Sequence, residues 1–201
     1  LPVAELELLE ALGERRDVHL WLPVPSGPLW VRVRAGAPAG PVPRADDTTA
    51  DLVGHPLLAS LGRDSRELGR ALAHLPATPV DRPAVAEPST LLGWLQADLR
   101  ADTVPDAATR AARVVGEHDR SVQVHACHGP SRQVDVLREV LVGLLQDDPT
   151  LEPRDVVVMC PDVESFAPLV SAGFGLAAPG AAGPLPTTEG HPAHGLRVRL
   201  A

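Results

Sequence analysis

Two rhythms of apolar residues run along this chain, one of three and four residues and one of two. The first predicts helices. Leu6, Leu9 and Leu12 fall at helical intervals in residues 1–12, closed by Gly13. Leu57, Leu61, Leu68, Leu72 and Leu75 form much of a stripe over residues 55–75, and Ser89 is placed to cap a further helix over 90–101. Val134, Leu137, Leu141, Leu144 and Leu145 mark a long helix over 131–148, and another follows at about 163–172. The second rhythm predicts strands. Val18, Leu20 and Leu22 alternate with His19 and Trp21 until Pro23, Pro25 and Pro28 stop the ladder. Val122, Val124 and Ala126 alternate with Gln123, His125 and Cys127. DVVVMC at 155–160 is the continuous apolar run expected of a central parallel strand, and LRVRL at 196–200 closes the series.

Between these elements lie a loop at 35–49, a stiff proline-rich linker at 76–88, and a polar stretch at 102–120 with a helical turn around 107–113. A Gly/Pro-rich loop covers 173–195. From residue 121 onward the order strand, helix, strand, helix, strand predicts a right-handed parallel α/β unit. The expected fold class is therefore α/β with a parallel sheet. No internal repeat is visible.

Composition narrows the function classes. Apolar residues make up 44% of the chain and aromatics only 2%, too few for a base-stacking platform. All 18 basic residues are arginine, and with so much Ala, Gly and Pro this fits GC-rich coding rather than a special use of arginine. A net charge of −8 argues against a free-standing phosphate-binding module, which needs a basic face. Cys127 and Cys160 each lie in an apolar run and read as buried, reduced thiols. No signal segment and no apolar run of spanning length is present, so a soluble cytoplasmic protein without membrane contact is expected. The chain opens on Leu1, its single methionine is Met159, and it closes at Ala201 directly after a strand-like run. An internal piece of a longer polypeptide is the expectation.

The chemistry that these residues offer is sparse. CHGPSRQV occupies the strand–loop–helix position of a phosphate loop, but it has one glycine, Gly129, followed by Pro130, which lacks an amide donor. The chain has no lysine, which excludes Walker-type ATP hydrolysis within these residues. His125, Cys127 and His128 lie close together and His191 and His194 form a second pair, yet zinc wants about four converging ligands and no Cys-x-x-Cys unit is present. Cys127 and His128 are adjacent, so on a strand they face opposite ways. GPSRQ lacks the flanking glycines of a nucleophile elbow. Asp147, Asp148, Asp155 and Asp162 lie around loops; the first two read as a solvated helix end, and Asp162 as the cap of the next helix. Arg132 stands at a helix start where free amides already favour an anion, and with Arg138 it is the basic residue best placed for a phosphate. An exposed helix start with no ligand is the plainer reading of Arg132.

One resemblance covers almost the whole chain. H-x-C-H-x-P-x-R-Q-V, LREVL, DPTLEPRD and VVVMCPD occur in one order between Ser121 and Val170, and VHLWLPVPSGPLW, HPLLASLGRDSREL and LLGWLQADL precede them. This series resembles RecC proteins, the scaffold subunits of RecBCD (exodeoxyribonuclease V). The resemblance implies superfamily-1 helicase-like domains that lack ATPase motifs. Residues 1–120 would be the end of the first such domain and 121–201 the truncated start of the second. The arginine that follows the second strand in active helicases is missing after Cys160, which agrees with the absent phosphate loop. The implied function is non-catalytic: holding RecB-like and RecD-like subunits and guiding double- and single-stranded DNA in double-strand break repair. The segment would carry no cofactor, its partners using the ATP and magnesium. His128 and Arg132 are the DNA-contact candidates, and no catalytic or metal residue is assigned. The alternative is part of an active AddB-like helicase–nuclease whose motifs lie outside this segment.

Overall fold

A computed structural model of the chain describes residues 3–37, 42–75, 80, 89–174 and 196. Among the described residues the regular structure is helical: α1 (Val3–Gly13), α2 (Gly27–Ala35), α3 (Pro56–Leu61), α4 (Arg63–Ala71), α5 (Leu91–Ala101), α6 (Ala107–Ala112), α7 (Pro130–Asp147) and α8 (Val163–Phe174). Short 3₁₀ turns lie at Arg44–Asp46, Thr49–Leu52, Leu72–His74 and Pro153–Asp155. The chain divides into two compact units, Leu1–Val122 and Gln123–Ala201.

The first unit is built around α2. Ser26, in extended conformation, accepts the Leu29 amide on Oγ at 3.3 Å, and a proline occupies the first turn, where no amide bond is lost. The same hydroxyl donates to Arg100 O at 2.9 Å, satisfying a carbonyl near the end of α5. Leu29 and Val33, four residues apart on α2, are buried against Leu58 of α3, with Val53 and Leu99 packed around them. Gly69 lets α4 approach: a Cβ there would stand 3.3 Å from the Trp30 ring and from Val33 Cγ1.

α3 and α4 form a broken helix rather than the single one that the leucine spacing predicts. The break falls at Gly62, where a Cβ would lie 2.5 Å from Leu58 O. It also resets the buried face. Leu57 and Leu61, two members of the predicted stripe, are exposed, while Leu58, Arg66 and Leu72 are buried. Arg66 is 4% exposed and holds the junction without a carboxylate partner. Its Nε donates to Thr49 Oγ1 at 3.1 Å, its Nη2 to Ala59 O at 3.2 Å, and its Nη1 to Leu58 O.

The end of α5 is the other anchor. Asp102 takes a left-handed conformation at φ 53 and its side chain is fully buried. Its carboxylate accepts the Gly54 amide at 3.0 Å and the His55 amide at 2.8 Å, and pairs with Arg32 of α2. Gly54 is required here, because a Cβ would run into the Asp102 carbonyl. In the second unit α7 packs on α8: Val134 is buried, and Gly173 brings the helices close enough that a Cβ would stand 3.1 Å from Val134 Cγ1.

Several expectations are overturned. The α/β parallel-sheet class does not hold, for the described residues contain no strand. The alternation at 18–22 and 121–127 and the continuous apolar run at 155–160 are real in sequence, but a ladder needs a neighbouring chain on the hydrogen-bonding edge, and no such pairing forms among the described residues. The side chains of these runs are correspondingly open to solvent, with Trp21 at 78%, Val124 at 92% and Met159 at 91%. α2 arises in a stretch read only as the end of a strand; its cues were Ser26, Pro28 and the Leu29–Val33 spacing. Thr90, not Ser89, caps α5, accepting the Gly93 amide on Oγ1 at 3.1 Å. The proline-rich linker at 76–88, apart from Val80, lies outside the described residues, as do most of the 173–195 loop and, apart from Leu196, the final LRVRL run.

Replacing Asp102 with alanine leaves the Arg32 charge, the buried His55 amide and the part-buried Gly54 amide without their acceptor. Arg32 is half-exposed and adds little, so the expected loss is that of the unsatisfied amides, about 1–3 kcal/mol for each, read from urea denaturation of the full-length polypeptide. A loss below about 1 kcal/mol would show the anchor to be dispensable.

Candidate nucleic-acid interface

The start of α7 follows from local sequence. Gly129 adopts φ 90, a conformation that side-chain-bearing residues rarely take, and Pro130 fits the first helical turn. Gly129 offers no capping side chain, so the first-turn amides keep their positive end open. His128 precedes the turn and Arg132 is the third residue of α7, both exposed. Arg132 makes no hydrogen bond or ion pair with another described residue. The structure thus brings the two sequence candidates to one helix start.

The other sequence candidates do not converge. Arg138 is turned into the protein, its side chain 20% exposed and its Nη2 3.2 Å from Glu139 Oε1, which removes it as a phosphate ligand. His125 is exposed rather than part of a strand face, and Cys127 and Cys160 are free and half-buried rather than buried. Asp148 closes its own turn by accepting Thr150 N at 2.9 Å and Thr150 Oγ1 at 2.6 Å. Asp155 accepts the Glu152 amide at 2.9 Å. Asp162 caps α8, accepting Ser165 Oγ at 2.5 Å and Ser165 N at 3.1 Å, and these bonds hold its carboxyl below the usual range. Among the described residues no three His, Cys, Asp or Glu side chains are grouped for a metal. His191 and His194 lie outside those residues. No described helix is long and apolar enough to cross a membrane.

A second feature, missed in the sequence, lies in the first unit. Leu91, Trp94, Leu95 and Asp98 share one face of α5 and line an open groove of about 270 Å³ with Arg110, Arg113 and Val115. Arg113 donates both Nη atoms to Asp98, at 2.6 and 2.7 Å, and its guanidinium stands 5.9 Å from the Trp94 ring centre. The steps of three, one and three from residue 91 were the available signal; the 15-residue separation of the ion pair offered none.

The described residues define a helical module with an exposed cationic helix start. Comparison with known proteins supplies the family. Residues 1–102 match the family model described as RecC, N-terminal domain. The whole chain is 56% identical, over 203 residues, to the RecBCD enzyme subunit RecC of Mycolicibacterium smegmatis, and covers 18% of that protein. It is 55% identical to the same subunit of Mycobacterium tuberculosis H37Rv, of which it covers 17%. The Escherichia coli K12 subunit is 30% identical over 88% of this chain and 19% of its own length. The chain belongs to the RecC family, and it spans less than a fifth of these relatives.

The Asp98–Arg113 pair carries a pH prediction. The bidentate bond from Arg113 holds the Asp98 carboxyl below the usual carboxylate range, against a smaller opposing effect of burial. A depressed value means that the pair stabilises the folded state above the ordinary carboxylate pKa and that this contribution is lost as pH falls through the depressed one. Asp98→Asn is therefore expected to be less stable than wild type near neutrality, with the difference closing in acid. Denaturation midpoints measured down the acid limb check this, and a gap that is constant with pH would count against it.

Proposed function

We propose that this chain forms part of a non-catalytic scaffold and DNA-guiding subunit in a RecBCD-type helicase–nuclease acting in double-strand break repair and recombination. The observation that carries the reading is whole-chain similarity to proteins named as RecBCD enzyme subunit RecC. On this reading the partners are RecB-like and RecD-like subunits together with double- and single-stranded DNA, and the site of action is the cytoplasm. The segment itself holds no cofactor; ATP and magnesium belong to the partner subunits. The division near residue 121 separates two domains, a reading supported by the compact units that part at Val122 and Gln123.

Within the segment, His128 and Arg132 are the proposed contacts to the DNA backbone. Their shared exposure at the open start of α7 supports this, since a guanidinium there adds to amides that already favour an anion. Deleting the gene is expected to abolish ATP-dependent degradation of linear duplex DNA in cell extracts, and undiminished degradation would refute the assignment. In the complete complex Arg132→Ala is expected to weaken DNA binding evenly across sequences and to reduce the salt slope by about one unit. Unchanged affinity and slope would remove Arg132 from the interface.

A further inference from the structure

The start of α3 carries a chemistry that the DNA role does not use. His55 is 7% exposed, and its Nδ1 caps the helix by accepting the Leu57 amide at 3.3 Å. A neutral imidazole has one acceptor nitrogen, and here that acceptor is committed. The residue is held from its backbone as well. Its amide donates to Asp102 Oδ1 at 2.8 Å, and its carbonyl accepts the Leu58 and Ala59 amides at 3.0 and 3.1 Å. Leu58, three residues on, is in the apolar core.

We propose that His55 is a proton-sensitive latch on α3. With the ring neutral the first turn is capped and Leu58 is seated. A proton on Nδ1 removes the acceptor and sets an N–H against the Leu57 N–H, so the ring must turn away and the first turn loses its cap. Serine, threonine, aspartate or asparagine would cap without this sensitivity near neutrality.

The charged neighbours do not restore what protonation removes. Asp102 faces His55 from the end of α5, but its oxygens already accept the Gly54 and His55 amides and pair with Arg32 of α2. Asp98 of α5 has both its oxygens bonded to Arg113. From α4, Arg66 places a further cation on the carbonyls of Leu58 and Ala59. The imidazolium would therefore enter a nest in which each carboxylate is already matched by an arginine.

The test is hydrogen exchange of the full-length polypeptide from about pH 8 to about pH 5, the span over which histidines change charge, with rates corrected for intrinsic exchange. Peptides over the start of α3 are expected to lose protection about fivefold, the factor corresponding to loss of one N-cap bond. Peptides over the start of α5, capped by the non-titrating Thr90, should hold theirs. In H55N, and in H55S should H55N not fold, protection at α3 should be independent of pH. Equal pH dependence in wild type and the capping variant would overturn the latch. So would a parallel loss at α5, which would mark general acid loosening.

Discussion

The Asp102 carboxylate is the contact on which the first unit depends. It gathers three pieces of chain that are far apart in sequence: its own helix end, the Gly54–His55 turn that launches α3, and Arg32 on α2. A fully buried carboxylate is costly unless charge and hydrogen bonds both answer it, and here two amides and a guanidinium do so. The geometry leaves little latitude. Residue 102 must take the left-handed conformation to close α5, and residue 54 must be glycine for the turn to approach it.

This polar fastening matters because the apolar core around it is small. Leu29, Val33 and Leu58, with Val53 and Leu99 against them, form the described cluster. Buried polar groups do much of the remaining positioning. Ser26 starts α2 and closes α5 with one hydroxyl, and Arg66 binds the end of α3 to the Thr49 turn. Each group is nearly saturated, which favours one arrangement of the helices over its neighbours. The same saturation makes the unit sensitive wherever one member can change its protonation, as at His55.

Local rules made the single helices legible and left the architecture obscure. The spacing in α1, α5, α7 and α8 needed only the residues within each helix, and each formed within a residue or two of expectation, as did α6, read from the sequence only as a helical turn. The strands failed because alternation describes which side chains a ladder would bury and does not supply the ladder. The α3–α4 break was hidden for a related reason: Gly62 is tolerable in a helical pattern until the Leu58 carbonyl and the Arg66 cage are placed around it. The placing of His128 and Arg132 at one helix start was legible, because a helix start is a local feature. The sequence did not identify the Trp94–Asp98–Arg113 groove, whose ion pair joins residues with no periodic relation.

The charge balance constrains what the proposed DNA contact can be. A chain of net charge −8 repels a polyanion at long range, so attraction must be confined to a site where cations outnumber carboxylates locally. Arg32, Arg113, Arg70 and Arg44 are unsuited to that, being tied to Asp102, Asp98, Asp47 and Glu67, and Arg66 is caged by carbonyls. Arg132 stands at a helix start with its guanidinium uncommitted to another described residue. A contact of this kind adds little affinity by itself and much direction, since it is met only by a backbone already brought to the start of α7. Under the proposed function, such contacts fix the course of a strand without supplying sequence information.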